Sequence, residues 1–259
     1  MTTGENLLTD NPALYEHQFP DPDHVAARFT HDVVTRFGGG RDLLDVGSGT
    51  GRDAGYLAGL GYRVVGLDSS ERMVRHARDE HPQAEFVVGD MREFALDDRF
   101  DVITCLDSAF LYCHTNADLI DFLARCREHL KPGGLLVAEM RNGAFFLGNT
   151  ELLDGVRTRT VVWEGVPYTS HTRLWIDHAH QLLRRRREWQ WPDAEPLVQH
   201  SAWRLLFPQE LRLFLRLAGF DVLALFDTPG PRTDEPWTPD AVLGAELSGD
   251  RLHLVARLH

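Results

Sequence analysis

The residues best suited to chemistry lie in one short run, Leu43-Leu44-Asp45-Val46-Gly47-Ser48-Gly49-Thr50-Gly51. Apolar residues lead into an acid and then into three glycines at alternate positions. Leu43, Leu44 and Val46 suit a strand covered on both faces. Glycine permits positive φ and has no Cβ to hold a ligand away from the backbone. The helix expected next begins with N–H groups that have no partner inside it. The pattern implies a nucleotide-type site at the carboxyl edge of a parallel sheet.

A second acid, Asp68, ends the apolar run Tyr62-Arg63-Val64-Val65-Gly66-Leu67. It falls about twenty residues past the glycines, where a βαβ unit sets a carboxylate on ribose hydroxyls. It could instead cap the next helix, since Ser69, Ser70 and Glu71 read as a helix start. A dinucleotide fingerprint needs glycine at position 52, and this chain has Arg52. That weighs against NAD or FAD.

These residues need elements to position them. Strands are expected at about 41–46, 62–67, 84–88, 100–106 and 133–139, with helices between them. This alternation gives a parallel sheet covered by helices on both faces. From 157 to 207 the pattern turns to strand alone: 157–163 and 166–176 flank Glu164-Gly165, a hairpin turn. Two further strands, 181–191 and 197–207, are separated by Pro192-Asp193-Ala194-Glu195-Pro196. A helix then starts at Pro208 and stops at Gly219, and strands 220–226 and 251–258 follow.

Residues 41–140 resemble the core of class I S-adenosylmethionine (SAM)-dependent methyltransferases. Four marks carry the resemblance in order: the Asp45–Gly51 loop, Asp68, Gly89-Asp90-Met91, and Phe100-Asp101-Val102-Ile103-Thr104-Cys105-Leu106-Asp107. Leu130-Lys131-Pro132-Gly133-Gly134-Leu135-Leu136-Val137 is similar to that family's turn into strand five. The implied fold is α/β, a Rossmann-like doubly wound seven-stranded sheet with an antiparallel β insert after strand five. Its segments are an N-terminal helical cap (1–40), the SAM-binding core (41–140), the insert covering the substrate site (141–207), and the C-terminal part of the sheet (208–259).

The resemblance also implies roles. Gly47, Ser48 and Gly49 would line the methionine and ribose portion, with Asp45 near the amino group. Asp68 would hold the ribose hydroxyls, while Ser69 and Met73 would flank the adenine. Asp90 would accept the adenine amino group beside the Met91 backbone, and Leu106 would offer its carbonyl to the ammonium. Plain helix packing remains open for Met73, and a turn role for Asp90. Tyr15 is similar to an N-terminal tyrosine of glycine and amino-sugar N-methyltransferases, where it covers the cofactor and points toward the methyl group.

Transfer from a sulfonium needs alignment and desolvation more than a covalent nucleophile. The chain has no HExxH, Cys-rich or GxSxG signature. His114, after strand four, could act as a base near neutral pH or cap the helix starting at Asn116. Glu139 and Arg141 could orient substrate or pair with each other. His171, His178, His180 and His200 lack zinc-site spacing, so no metal is expected. Only two of Arg184-Arg185-Arg186-Arg187 can share a face of a strand, and an inward pair would suit a carboxylate or phosphate. Five tryptophans (163, 175, 189, 191 and 203) form either the packing face of the insert or an aromatic cleft. The Pro- and Asp-rich stretch 228–240 reads as a lid or as a surface loop.

With 27 Lys plus Arg against 39 Asp plus Glu, the net charge is −12, which repels phosphate backbones and excludes nucleic acid as the expected partner. Three cysteines without CxxC spacing suit buried thiols. The start of the chain, 1–12, is polar and no run approaches a membrane span, so a cytoplasmic protein without a membrane partner is expected. A homodimer is compatible with the chain. The expected function is SAM-dependent methylation of a small molecule in secondary metabolism, at nitrogen first, then oxygen, then carbon. A nicotinamide-dependent oxidoreductase and a non-catalytic SAM-binding module are the alternatives.

Overall fold

The computed structural model describes residues 6–148 and 150–259. The first five residues of the 1–40 segment, which belong to the polar start, and Asn149 of the insert lie outside the described residues. Two helices, α1 (Pro12–Gln18) and α2 (Val25–Arg36), precede the sheet. Strands β1 (Asp42–Val46), β2 (Arg63–Asp68), β3 (Glu85–Val88), β4 (Phe100–Cys105) and β5 (Leu130–Arg141) then alternate with helices α3 (Arg52–Gly59), α4 (Glu71–Glu80) and α5 (Asn116–His129). Between β3 and β4 the chain crosses without a helix. After the insert come α6 (Pro208–Leu217), β10 (Phe220–Phe226) and β11 (Arg251–Leu258).

The seven-stranded sheet runs in the order β10-β11-β5-β4-β1-β2-β3. Strand β11 lies antiparallel between β5 and β10, while β1, β2, β3, β4 and β5 are parallel. The expected doubly wound fold is therefore present, with one reversed strand. Side-chain alternation sorts the core to two faces. Leu44, Leu136, Ala138 and Met140 pack with α5 and α6, whereas Leu43, Leu135 and Val137 pack with α2, α3 and α4. Burial on both faces explains why these strands read as continuous apolar runs.

Strand order reverses between β1 and β4, which run parallel, so their carboxyl ends open a crevice at the switch point. Above it stands a second sheet, β6 (Arg157–Trp163), β7 (Val166–Asp177), β8 (Leu182–Gln190) and β9 (Leu197–Arg204), antiparallel throughout. Its first turn has Glu164 at φ 51° and Gly165 at φ 78°, the two positive dihedrals that match the twist of a two-residue hairpin. The strand expected at 181–191 spans Leu182–Gln190, and the one expected at 197–207 stops at Arg204, because Leu205 and Leu206 turn down into the core.

Candidate active site

The site is built from the β1–α3 loop. Gly47, Gly49 and Gly51 have φ of 80°, 55° and 78°. A Cβ on Gly47 would lie 2.7 Å from Ala109 Cβ, and one on Gly51 would lie 2.7 Å from Ala77 Cβ and Phe86 Cζ. A Cβ on Gly49 would meet only open space, so its glycine answers to backbone conformation rather than crowding. Four of the loop's donors are already used. Gly47 N and Ser48 N donate to the Leu67 carbonyl (2.7 and 3.0 Å), and Gly51 N donates to the Ser48 carbonyl (2.9 Å). Gly49 N donates to Asp68 Oδ2 (2.9 Å). These N–H groups cannot also cradle a pyrophosphate, which argues against the dinucleotide alternative.

Asp68 accepts a second backbone bond, from Ser70 N to Oδ1 (2.9 Å). Ser70 itself caps α4 by accepting from Met73 N (3.3 Å). Burial raises the Asp68 pKa against these backbone donors.

A cavity of about 340 Å³ lies over the loop, within the range of small-ligand sites. Among the expected residues, Tyr15, Asp45, Gly47, Ser48, Gly49 and Leu106 line it. Asp45 is buried and accepts the Thr104 hydroxyl at 2.7 Å. Burial first, then the nearby Asp53 and Asp68 charges, push its pKa up to about 7, although the Thr104 bond opposes the shift. The Leu106 carbonyl accepts Ala109 N at 3.0 Å and keeps one further lone pair.

Asp68, Ser69, Met73, Asp90, Met91 and His114 do not line this cavity. Met73 is buried in α4 and Ser69 is exposed. Asp90 accepts Arg92 N (2.9 Å) and pairs with the Arg92 guanidinium, which lowers its pKa. Met91 packs under the core with its sulfur 3.7 Å from Cys113. His114 Nε2 donates to the Ala202 carbonyl (2.8 Å), fastening strand β9 to the segment just before α5. The ring therefore has a structural partner, and it does not line the cavity. Glu139 does not pair with Arg141. It bonds Arg251 at 3.1 Å, because Arg251 sits opposite Arg141 on the adjacent strand.

Several cavity residues were not expected from the sequence. Asp107, at φ 50°, accepts from the Tyr15 hydroxyl (3.3 Å) and pairs with Arg232 (2.9 Å). Burial, reinforced by Asp107, raises the Tyr15 pKa and keeps the phenol neutral. Arg232 comes from the stretch read as lid or surface loop. That stretch is tied down: Arg36 Nη1 donates to the Pro239 carbonyl (3.3 Å) and Trp237 Nε1 to Asp32 Oδ2 (3.1 Å). Arg52 Nη1 donates to the Phe19 carbonyl (2.9 Å), drawing the segment after α1 over the loop. An acid directly after strand four was a usable signal for Asp107; nothing in the sequence marks Arg232.

Among the described residues, Arg52 Nε and Asp53 Oδ1 are buried without a hydrogen-bond partner. A guanidinium and a carboxylate on adjacent lining residues, each keeping one buried polar atom without a partner, suit a zwitterionic amino-acid group. Five carboxylates (Asp21, Asp45, Asp53, Asp107, Glu139) face two guanidinium groups, so the lining favours a ligand with net positive charge. The methionine and sulfonium ends of SAM have both properties.

Residues 43–134 match the family model of the methyltransferase domain. A dTDP-3-amino-3,4,6-trideoxy-alpha-D-glucopyranose N,N-dimethyltransferase of Streptomyces venezuelae is 38% identical over 97 residues, 38% of this chain and 41% of that protein. A dTDP-4-amino-2,3,4,6-tetradeoxy-D-glucose N,N-dimethyltransferase of Saccharopolyspora spinosa is 37% identical over 107 residues, covering 41% and 43%. The chain thus spans about two fifths of the length of these curated relatives. Among solved structures, a sugar N-methyltransferase of Streptoalloteichus sp superposes with a TM-score of 0.77 at 22% identity, over 100% of this chain and 95% of that one. A SAM-bound amino pentose methyltransferase of Micromonospora echinaspora gives 0.70 at 25% identity, over 96% of each. Fold and matched domain together define a class I methyltransferase architecture, with the domain itself at residues 43–134.

Proposed function

We propose that this protein is a SAM-dependent methyltransferase acting on an amine nitrogen of a small molecule in secondary metabolism. The observation that carries the reading is the acidic cavity at the β1/β4 switch point, roofed by Tyr15 and lined by Arg52 and Asp53, each of which keeps a buried polar atom without a hydrogen-bond partner. The curated relatives at 37–38% identity are amino-sugar N,N-dimethyltransferases, which supports nitrogen ahead of oxygen or carbon. When bound, SAM supplies a methyl group on a sulfonium that leaves as a neutral thioether.

The residues of the chain do the rest. Asp45 and Asp53 hold the cationic end of the ligand, and Arg52 holds its carboxylate. Asp68, fixed by two backbone donors, retains lone pairs for ribose hydroxyls. Tyr15 and Phe19 line the cavity and would shield a bound ligand from part of the solvent, which strengthens the charge contacts beneath them. An amine must lose a proton as it is alkylated. The Asp107 carboxylate, half exposed beside Tyr15, is the acceptor the geometry offers. The net charge of −12 supports a small acceptor over nucleic acid.

Calorimetry with S-adenosylhomocysteine tests the reading. The expected result is one site per chain with micromolar or tighter affinity, equivalent to about −8 kcal/mol. Absence of heat with both this ligand and SAM, in protein shown to be folded, removes the proposal.

A further inference from the structure

The inner face of the insert carries a polar band between two apolar clusters. At one end Trp189, Val161, Tyr168 and Leu197 pack on α1, and at the other Leu183, Ile176 and Trp203 pack with Phe146 and Leu205. Between them the register aligns Thr172, Arg187 and Gln199 in one row and Leu174, Arg185 and Ser201 in the next. Arg185 and Arg187 thus share the inward face, while Arg184 and Arg186 face outward and are neutralised by Asp177 and Glu188 (both 2.8 Å).

The inward pair has no such partner. Among the described residues no carboxylate forms an ion pair with either guanidinium. Arg185 lies over the Trp203 ring at 4.7 Å and Arg187 over Trp189 at 5.4 Å, and Arg187 Nε donates to Thr172 Oγ1 at 3.0 Å. Arg185 Nε and Ser201 Oγ, on directly opposed residues, are shut from solvent without a partner. Burial lowers the pKa of Arg185, and burial together with Arg185 and Arg159 lowers that of Arg187 to about 10. Two cations held close and unneutralised are costly, and an arriving anion relieves the cost. Indole stacking fixes the planar forks, which prepares them for bidentate contact with an oxyanion. The band faces the turn Ala109–Tyr112, which follows Asp107 of the cavity.

We infer that Arg185, Arg187 and Ser201 form a subsite for an anionic group, phosphoryl or carboxylate, carried by the acceptor. The assignment rests on reading the insert as the acceptor side of the methyltransferase. It gives the two ligands opposite electrostatics: the cavity takes the cation and the insert takes the anion.

Thermal unfolding of the full chain tests it, with pyrophosphate, phenyl phosphate or succinate added at constant ionic strength. At least one anion should raise the midpoint of the wild type and bind with roughly ten- to hundredfold lower affinity to Arg185→Met or Arg187→Met. Preference for the phosphates or for succinate identifies the group. Arg185→Met and Ser201→Ala remove a buried unpaired polar group, so without anion they should melt at or above the wild type. A merely structural role predicts the opposite. The proposal is overturned if no anion shifts the wild type beyond a matched chloride control, or if the shift survives in both Arg variants. Binding of S-adenosylhomocysteine, measured in parallel, should be unchanged; its absence in the wild type would remove the methyltransferase reading instead.

Discussion

Asp45 shows how one carboxylate can work against the fold and for the ligand. Its side chain is buried, accepts the Thr104 hydroxyl, and is pushed up to about 7. In the unfolded chain it ionises in the ordinary carboxylate range, so the folded state holds the extra proton between these values. Stability from this group is complete below the unfolded pKa and is lost as pH rises through about 7. A cationic ligand reverses the preference by favouring the ionised form. Asp45→Asn should therefore flatten the fall of the melting midpoint through neutral pH and weaken S-adenosylhomocysteine binding by about 1.5–3 kcal/mol. Wild-type affinity should rise across the same pH range. Calorimetry at several pH values checks both, and an Asn variant with wild-type affinity above neutrality removes Asp45 as the ammonium partner. At this scale the loop was legible, because positive φ at Gly47, Gly49 and Gly51 restricts the residue type. Arg232 was not, since its place depends on a loop returning from β10 to the mouth of β4.

Arg204 decides how the insert joins the core. It is buried at the end of β9, where Nη1 donates to the His114 carbonyl (3.2 Å) and Nη2 to Asn116, Gln181 and Glu210 (3.0, 3.1 and 2.7 Å). One guanidinium thereby links the end of β9 with the starts of α5, β8 and α6. Arg204→Ala leaves these acceptors unpaired in a dry junction and should cost about 3 kcal/mol. Hydrogen exchange should show β8 and β9 opening more often while β1 and β2 stay protected; equal loss of protection in both sheets would show that the insert has no separate hinge. The insert's strands were readable from alternation and from Glu164-Gly165, whose φ values admit few residue pairs. Which Arg of the run faces inward was not readable. That parity is set by pairing with β7 and β9, and pairing partners are distant in sequence. The partner of His114 was unreadable for a related reason: only the folded insert supplies the Ala202 carbonyl that its ring bonds.

Across the whole molecule, charge is sorted rather than spread. The net charge is −12, and the cavity repeats that sign with Asp21, Asp45, Asp53, Asp107 and Glu139 against Arg52 and Arg232. The inward face of β8 carries the opposite sign, with Arg185 and Arg187. Methyl transfer turns a sulfonium into a neutral thioether, so the bound cofactor loses one positive charge while the lining keeps its own. The substrate form should thus be held more tightly than the product, which favours release after each turnover. Salt distinguishes this field from shape alone. The Debye length falls from about 30 Å at 0.01 M to about 3 Å at 1 M, so screening should erode the attraction of the distant surface charge and of the partly exposed Asp107. Titrations of SAM and S-adenosylhomocysteine should show the advantage of SAM shrinking severalfold over that range. An advantage independent of salt would assign discrimination to contact geometry. Tighter binding of the product at low salt would contradict the electrostatic reading of the cavity. The anion expected at β8 should show the same salt sensitivity from the opposite sign, since Arg185 and Arg187 attract what the rest of the surface repels.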